Sequence, residues 1–168
     1  MTSLEGQALG VTRMRQGRVS ISINTDPGPD KNGLCRSYYL LSTLLHECTH
    51  AYLREAACRG LGERGCEVES CKNFWESECG EQGGHGDVWQ LLAWDVEARA
   101  TALLDIPFDL GREDAVVEHY EVNDKLISED CVTKCFPGKR LEQFAESAFG
   151  KISVRLVARE DGSSRTEA

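Results

Sequence analysis

Two rhythms of apolar and polar residues run along this chain. Val19, Ile21 and Ile23 alternate with Ser20, Ser22 and Asn24, a period of two that predicts a half-buried strand. From about Arg36 to Arg59 the period lengthens. Leu41, Leu44, Leu45, Cys48 and Tyr52 recur at helical spacing and predict an amphipathic helix with those residues as its buried stripe, stopped by Gly60 and Gly62. Val88, Leu91, Leu92, Val96 and Arg99 repeat the helical spacing and predict a second helix over 87–104, ended by Pro107. Leu141 to Phe149 reads as a short helix, and Ile152, Val154 and Leu156 as another strand. Residues 1–16 carry no strong period, and 113–135 fits helix and short strands equally.

Between these elements the chemistry is that of turns. Asp26 to Gly33 holds two prolines and two glycines and reads as a loop. From 58 to 86 the chain is rich in Gly, Cys and Glu, with one aromatic pair, Phe74 and Trp75. A loop of that length inside a compact domain is usually functional or pinned. Phe74 and Trp75 fit a wall of a cleft, and fit better as anchors of the loop on the core. The expected organisation is one domain over 1–160, interrupted by this insertion, with a disordered tail over 161–168.

Composition narrows the class. At 168 residues with 40% hydrophobic content, the chain can bury a core of its own. No apolar run reaches the length of a membrane span, and the first residues do not resemble a signal peptide, so the expectation is an intracellular protein, nuclear or cytoplasmic, without membrane contact, with secretion as the alternative if a signal peptide has been removed. The formal charge of −9 opposes non-specific binding to phosphate backbones, which needs clustered Lys and Arg. Arg13, Arg15 and Arg18 form a small cluster and read as a solvated edge.

One stretch changes the picture. His46-Glu47-Cys48-Thr49-His50 is an HExxH motif set in the first predicted helix. Residues four apart share a helix face, so His46 and His50 can reach one metal ion from a single rigid element. Glu47 stands beside them as the candidate general base for a metal-acidified water. A catalytic zinc usually takes three protein ligands, so one more is needed. His85, between Gly84 and Gly86 at the start of the second helix, is the favoured third ligand. His119 reads as a surface or core histidine, and Glu76, Glu78 and Glu81 would give a His-His-Glu site instead.

Cysteines are numerous. Cys58, Cys66, Cys71 and Cys79 have seven, four and seven residues between them, with no CxxC knuckle among them. Two disulfides, free thiols and a second zinc site remain as readings. Cys48 reads as a small apolar residue of the motif helix.

The segments Leu44-Leu45-His46-Glu47-Cys48-Thr49-His50-Ala51-Tyr52 and Gly84-His85-Gly86-Asp87-Val88-Trp89 resemble those of the SprT-like domain family, the group that includes Spartan and bacterial SprT proteins. Ile106 to Arg112 is similar to the piece that follows the second helix in fungal members, and the likeness covers about residues 18–112. It implies an α+β, zincin-like metalloprotease domain, with the HExxH helix packed on a second helix and a short sheet. It further implies zinc held by His46, His50 and His85, Glu47 as general base, and a protein or peptide substrate. Spartan-type members cut proteins crosslinked to DNA. This chain differs from them in its longer spacing between the two motifs, its acidic charge and its lack of a basic extension. A non-catalytic zinc-stabilised binding module is the competing class. Oligomeric state is not legible in these residues.

Overall fold

The structure, a computed structural model, describes residues 9–15, 18–25, 36–56, 68–79, 84–123 and 126–139. The helix expected over 141–149, the strand at 152–156 and the tail over 161–168 lie outside these residues. So do the loop at 26–33, Cys35, Cys58, Cys66 and Glu81. Among the described residues the architecture is α+β, with five α-helices and one two-stranded antiparallel sheet.

Strand β1 (Gly10–Arg15) pairs with β2 (Arg18–Ile23) from Gly10 opposite Ile23 to Arg15 opposite Arg18. On β2 the expected alternation holds: Val19, Ile21 and Ile23 are half-buried, and Arg18, Ser20 and Ser22 face out. β1 left no period to find, because Gly10 and Thr12 occupy the positions where an apolar face would show. Both positions abut helix α1 (Arg36–Ala56), whose Glu47 and Thr43 fill the space a larger residue would need.

The buried stripe of α1 differs from the expected one. Leu41 and Leu45 do pack on the core, but the fully buried positions are Thr43, Glu47, Thr49, Leu53 and Arg54. Leu44, Cys48 and Tyr52 face out, Tyr52 with 62% of its surface exposed. The reason is that α1 is covered on two sides, by the hairpin and by α3 (Asp87–Leu104). Hydrophobic spacing alone locates one covered side and misses a second lined by polar groups that hydrogen-bond across it.

The insertion is not all loop. Glu69–Phe74 forms a short helix, α2, continued by a π-helical turn over Trp75–Cys79. Phe74 and Trp75 pack against the core cluster of Leu53, Trp89, Ala93 and Phe108, so they anchor the segment. Helix α3 spans the expected 87–104. It ends at Asp105, whose left-handed backbone (φ 54) lets its N–H return to the Thr101 carbonyl at 3.0 Å, ahead of Pro107. The stretch that fitted two readings is helical in both halves, α4 (Arg112–Asn123) and α5 (Glu129–Cys135). Ser128 caps α5 by accepting the Cys131 N–H at 3.2 Å. A second cluster, Val116, Ile127, Cys131, Val132, Cys135 and Phe136, closes the far side of α3. No described helix is long and apolar enough to cross a membrane.

Candidate metal centre

The two histidines of α1 lie one turn apart, as their spacing demands. His85 meets them from the residue pair that precedes α3. The three Nε2 atoms converge: His46 to His50 is 3.3 Å, His50 to His85 is 3.0 Å and His85 to His46 is 3.2 Å. A tetrahedral ion with Zn–N bonds of about 2.0–2.1 Å would hold its nitrogens about 3.3 Å apart. Three lone pairs aimed at one point repel unless a cation sits among them. The group His46, His50 and His85 can therefore hold a metal ion.

The rings are held in place from behind. The Nδ1–H of His46 donates to the Leu110 carbonyl at 2.8 Å, which puts the proton on Nδ1 and leaves the Nε2 lone pair for a metal. A carboxylate oxygen of Glu118 lies 3.9 Å from Nδ1 of His85. The indole of Trp89, fully buried, touches all three imidazoles, with ring centroids 4.8, 5.4 and 4.6 Å from His46, His50 and His85. Burial, with His46 and Arg54 nearby, depresses the pKa of His50 to about 3. That ring is neutral at pH 7, the form that binds metal.

Gly86, next to His85, has a steric reason to be glycine rather than a conformational one. Gly86 has an extended backbone that any residue adopts (φ −68, ψ −168). A Cβ on it would collide with the Glu78 carboxylate. Glu78 reaches across from the π-helical turn and accepts the Trp89 N–H at 3.0 Å, placing its negative charge at the amino end of α3, where the helix dipole favours it. Glu78 thus serves as a cap, outside the group of converging metal-ligating atoms.

Glu47 takes a different position. It is buried, 6% exposed, on the side of α1 that faces β1. The Thr12 hydroxyl lies 2.6 Å from its Oε2 and 2.9 Å from its main-chain carbonyl. A Cβ on Gly10 would stand 2.6 Å from Glu47 Cγ and 2.7 Å from Oε1. The strand approaches the carboxylate this closely only because position 10 is glycine. Arg54 donates from Nη1 to the Thr12 carbonyl and ties the same strand to the last turn of α1.

His119 is a buried histidine of α4 and does not join the cluster. Among the described residues, Cys71 and Cys79 stand as thiols, and Cys79 is buried, its pKa pushed up to about 11 by that burial. Cys48 is exposed on α1 rather than packed as a small apolar residue. Sequence reasoning missed Thr12, Gly10 and the Leu110 carbonyl, none of which carries a signal outside the fold, and weighed Glu78 only as a ligand, where the structure uses it as a cap. Trp89, in the first turn of α3, lies against all three imidazoles without any spacing that announces it.

No family model matches this chain, and no curated protein or solved structure matches it either.

Proposed function

We propose that this chain is a zinc-dependent metallopeptidase acting on protein or peptide substrates. The observation that carries this reading is the convergence of three Nε2 atoms within 3.3 Å, with an HExxH glutamate on the same helix. The likeness to the SprT-like family supports it through the two motif segments.

Zinc held by these imidazoles would supply Lewis acidity to a water molecule and to the scissile carbonyl. The chain's own contribution is positional. Thr12 engages Oε2 of Glu47, and the other carboxylate oxygen, Oε1, would take the proton of the attacking water. The same carboxylic acid then hands that proton to the departing amine. Trp89 closes the floor beneath the imidazoles and keeps bulk water away from that side. DNA is no part of the reading, because a chain of charge −9 offers little to a phosphate backbone.

A second reading has an observation of its own. Glu47 is deeply buried and already bonded to Thr12, as it would be if it only fastened β1 to α1 in a non-catalytic, zinc-stabilised module. One variant separates the two. Glu47→Gln should retain one zinc per chain and lose hydrolysis of an unstructured substrate such as casein by at least ~100-fold. Wild-type protein that holds zinc yet cleaves nothing, with Glu47→Gln merely less stable, would select the binding module.

A further inference from the structure

Behind the imidazoles lies a carboxylate that neither ligation nor proton transfer uses. Glu97, buried on α3, accepts the Leu110 N–H at 2.7 Å through Oε1 and the Arg112 Nε–H at 2.5 Å through Oε2. Leu110 is the residue whose carbonyl receives the Nδ1–H of His46. The segment 108–112 is thereby a strap between α1 and α3. On the α1 side three residues at four-residue intervals hold it: the Tyr38 hydroxyl accepts the Asp109 N–H at 3.0 Å, Ser42 donates to the Asp109 carbonyl, and His46 donates to Leu110. On the α3 side, Gln90 Nε2 reaches the Arg112 carbonyl at 3.3 Å and the His85 carbonyl at 3.4 Å.

We infer that Glu97 is a positioning residue for the metal centre, acting through the Leu110 carbonyl on His46. This rests on the metal-binding part of the function proposed above and not on hydrolysis. The physical reason is a matter of tautomers. An imidazole offers Nε2 to a cation only when its proton sits on Nδ1, and a fixed acceptor at Nδ1 both selects that form and raises the basicity of Nε2. A main-chain carbonyl in a connecting segment can do this only if the segment is fixed. Glu97 fixes it from the side opposite His46, with a hydrogen bond one residue's backbone away from the carbonyl in question.

Zinc affinity by competition with a chromophoric chelator, together with the visible spectrum of the Co²⁺-substituted protein, tests this. Glu97→Leu keeps the side-chain bulk and removes the acceptor. It should weaken zinc binding by about 10- to 100-fold, the usual effect of losing an outer-shell partner, and shift the Co²⁺ absorption. Arg112→Leu breaks the ion pair and leaves the Leu110 hydrogen bond. It should lower the melting temperature of the metal-free protein while changing zinc affinity by less than about threefold, well below that range. Should Glu97→Leu fail to fold, Tyr38→Phe combined with Ser42→Ala loosens the same strap from its partly exposed side and should cut zinc affinity by at least ~5-fold. Wild-type affinity and an unchanged Co²⁺ spectrum in Glu97→Leu, or in the Tyr38/Ser42 pair where that variant does not fold, overturn the inference alone. Equal losses in Arg112→Leu and Glu97→Leu overturn it too, since the ion pair rather than the strap would then be responsible. Wild-type protein that takes up no zinc overturns both this and the reading beneath it.

Discussion

Toward α3, His46 is held by a main-chain carbonyl and rests against the fully buried ring of Trp89. Toward the hairpin, the neighbouring Glu47 is held by a threonine hydroxyl on a strand that has, among the described residues, a single partner. These two sides of α1 differ in what they can survive. The ligand side leans on the main core and on a segment fastened from both helices, by Tyr38 and Ser42 on one and Glu97 on the other, so it has more than one support. The base side leans, among the described residues, on a two-stranded hairpin, a unit that is marginal by itself, and on one glycine that leaves just enough room. On the proposed function, capture of a cation and transfer of a proton would therefore have separate supports, and either could be lost while the other persists.

The sharpest test of that separation lies on the ligand side. His85→Ala should weaken zinc binding by more than ~100-fold, beyond the usual loss of an outer-shell partner, whereas His119→Ala should bind one equivalent as the parent does. Elemental analysis after dialysis reads both, and a fully loaded His85→Ala protein would remove the third ligand from the account. On the base side, Gly10→Ala puts a methyl group 2.6 Å from Glu47 Cγ and 2.9 Å from Thr43 Cγ2, so the glutamate must move. Hydrolysis should fall by ~10- to 100-fold, the scale of an ångström-sized misplacement, with zinc content unchanged. Loss of zinc in that variant would show that the two supports are one.

The smallest effect lies behind both sides, at Cys79. Burial raises this thiol from 9.0 to about 11, so the unfolded chain gives up its proton first as pH rises. The stability it lends is fully present below pH 9 and is lost as pH climbs toward 11. Urea midpoints measured from pH 8 to 10.5 should decline, and Cys79→Val should flatten that decline. A slope that the substitution leaves untouched would place the titrating group elsewhere.

Much of the ligand side was legible in residue spacing. The four-residue interval puts two imidazoles on one turn, and α3 begins and ends where its apolar repeat and Pro107 say it should. The base side was not legible. A strand whose contact positions are Gly10 and Thr12 has no hydrophobic signature, because its contacts are a close approach and a hydrogen bond. The outward turn of Leu44, Cys48 and Tyr52 was hidden for a related reason: a helix covered on two sides buries polar residues that satisfy one another and leaves apolar ones outside. In the insertion, helix and π-helical turn emerge from a Gly- and Cys-rich composition, where aromatic anchoring by Phe74 and Trp75 outweighs weak local preference.

The reach of Glu78 into the first turn of α3 makes the cysteine-bearing excursion structural masonry for the third imidazole, not a detachable ornament. A shortening that removes Glu78 must supply another anion at the same spot, or the turn that follows His85 loses its footing.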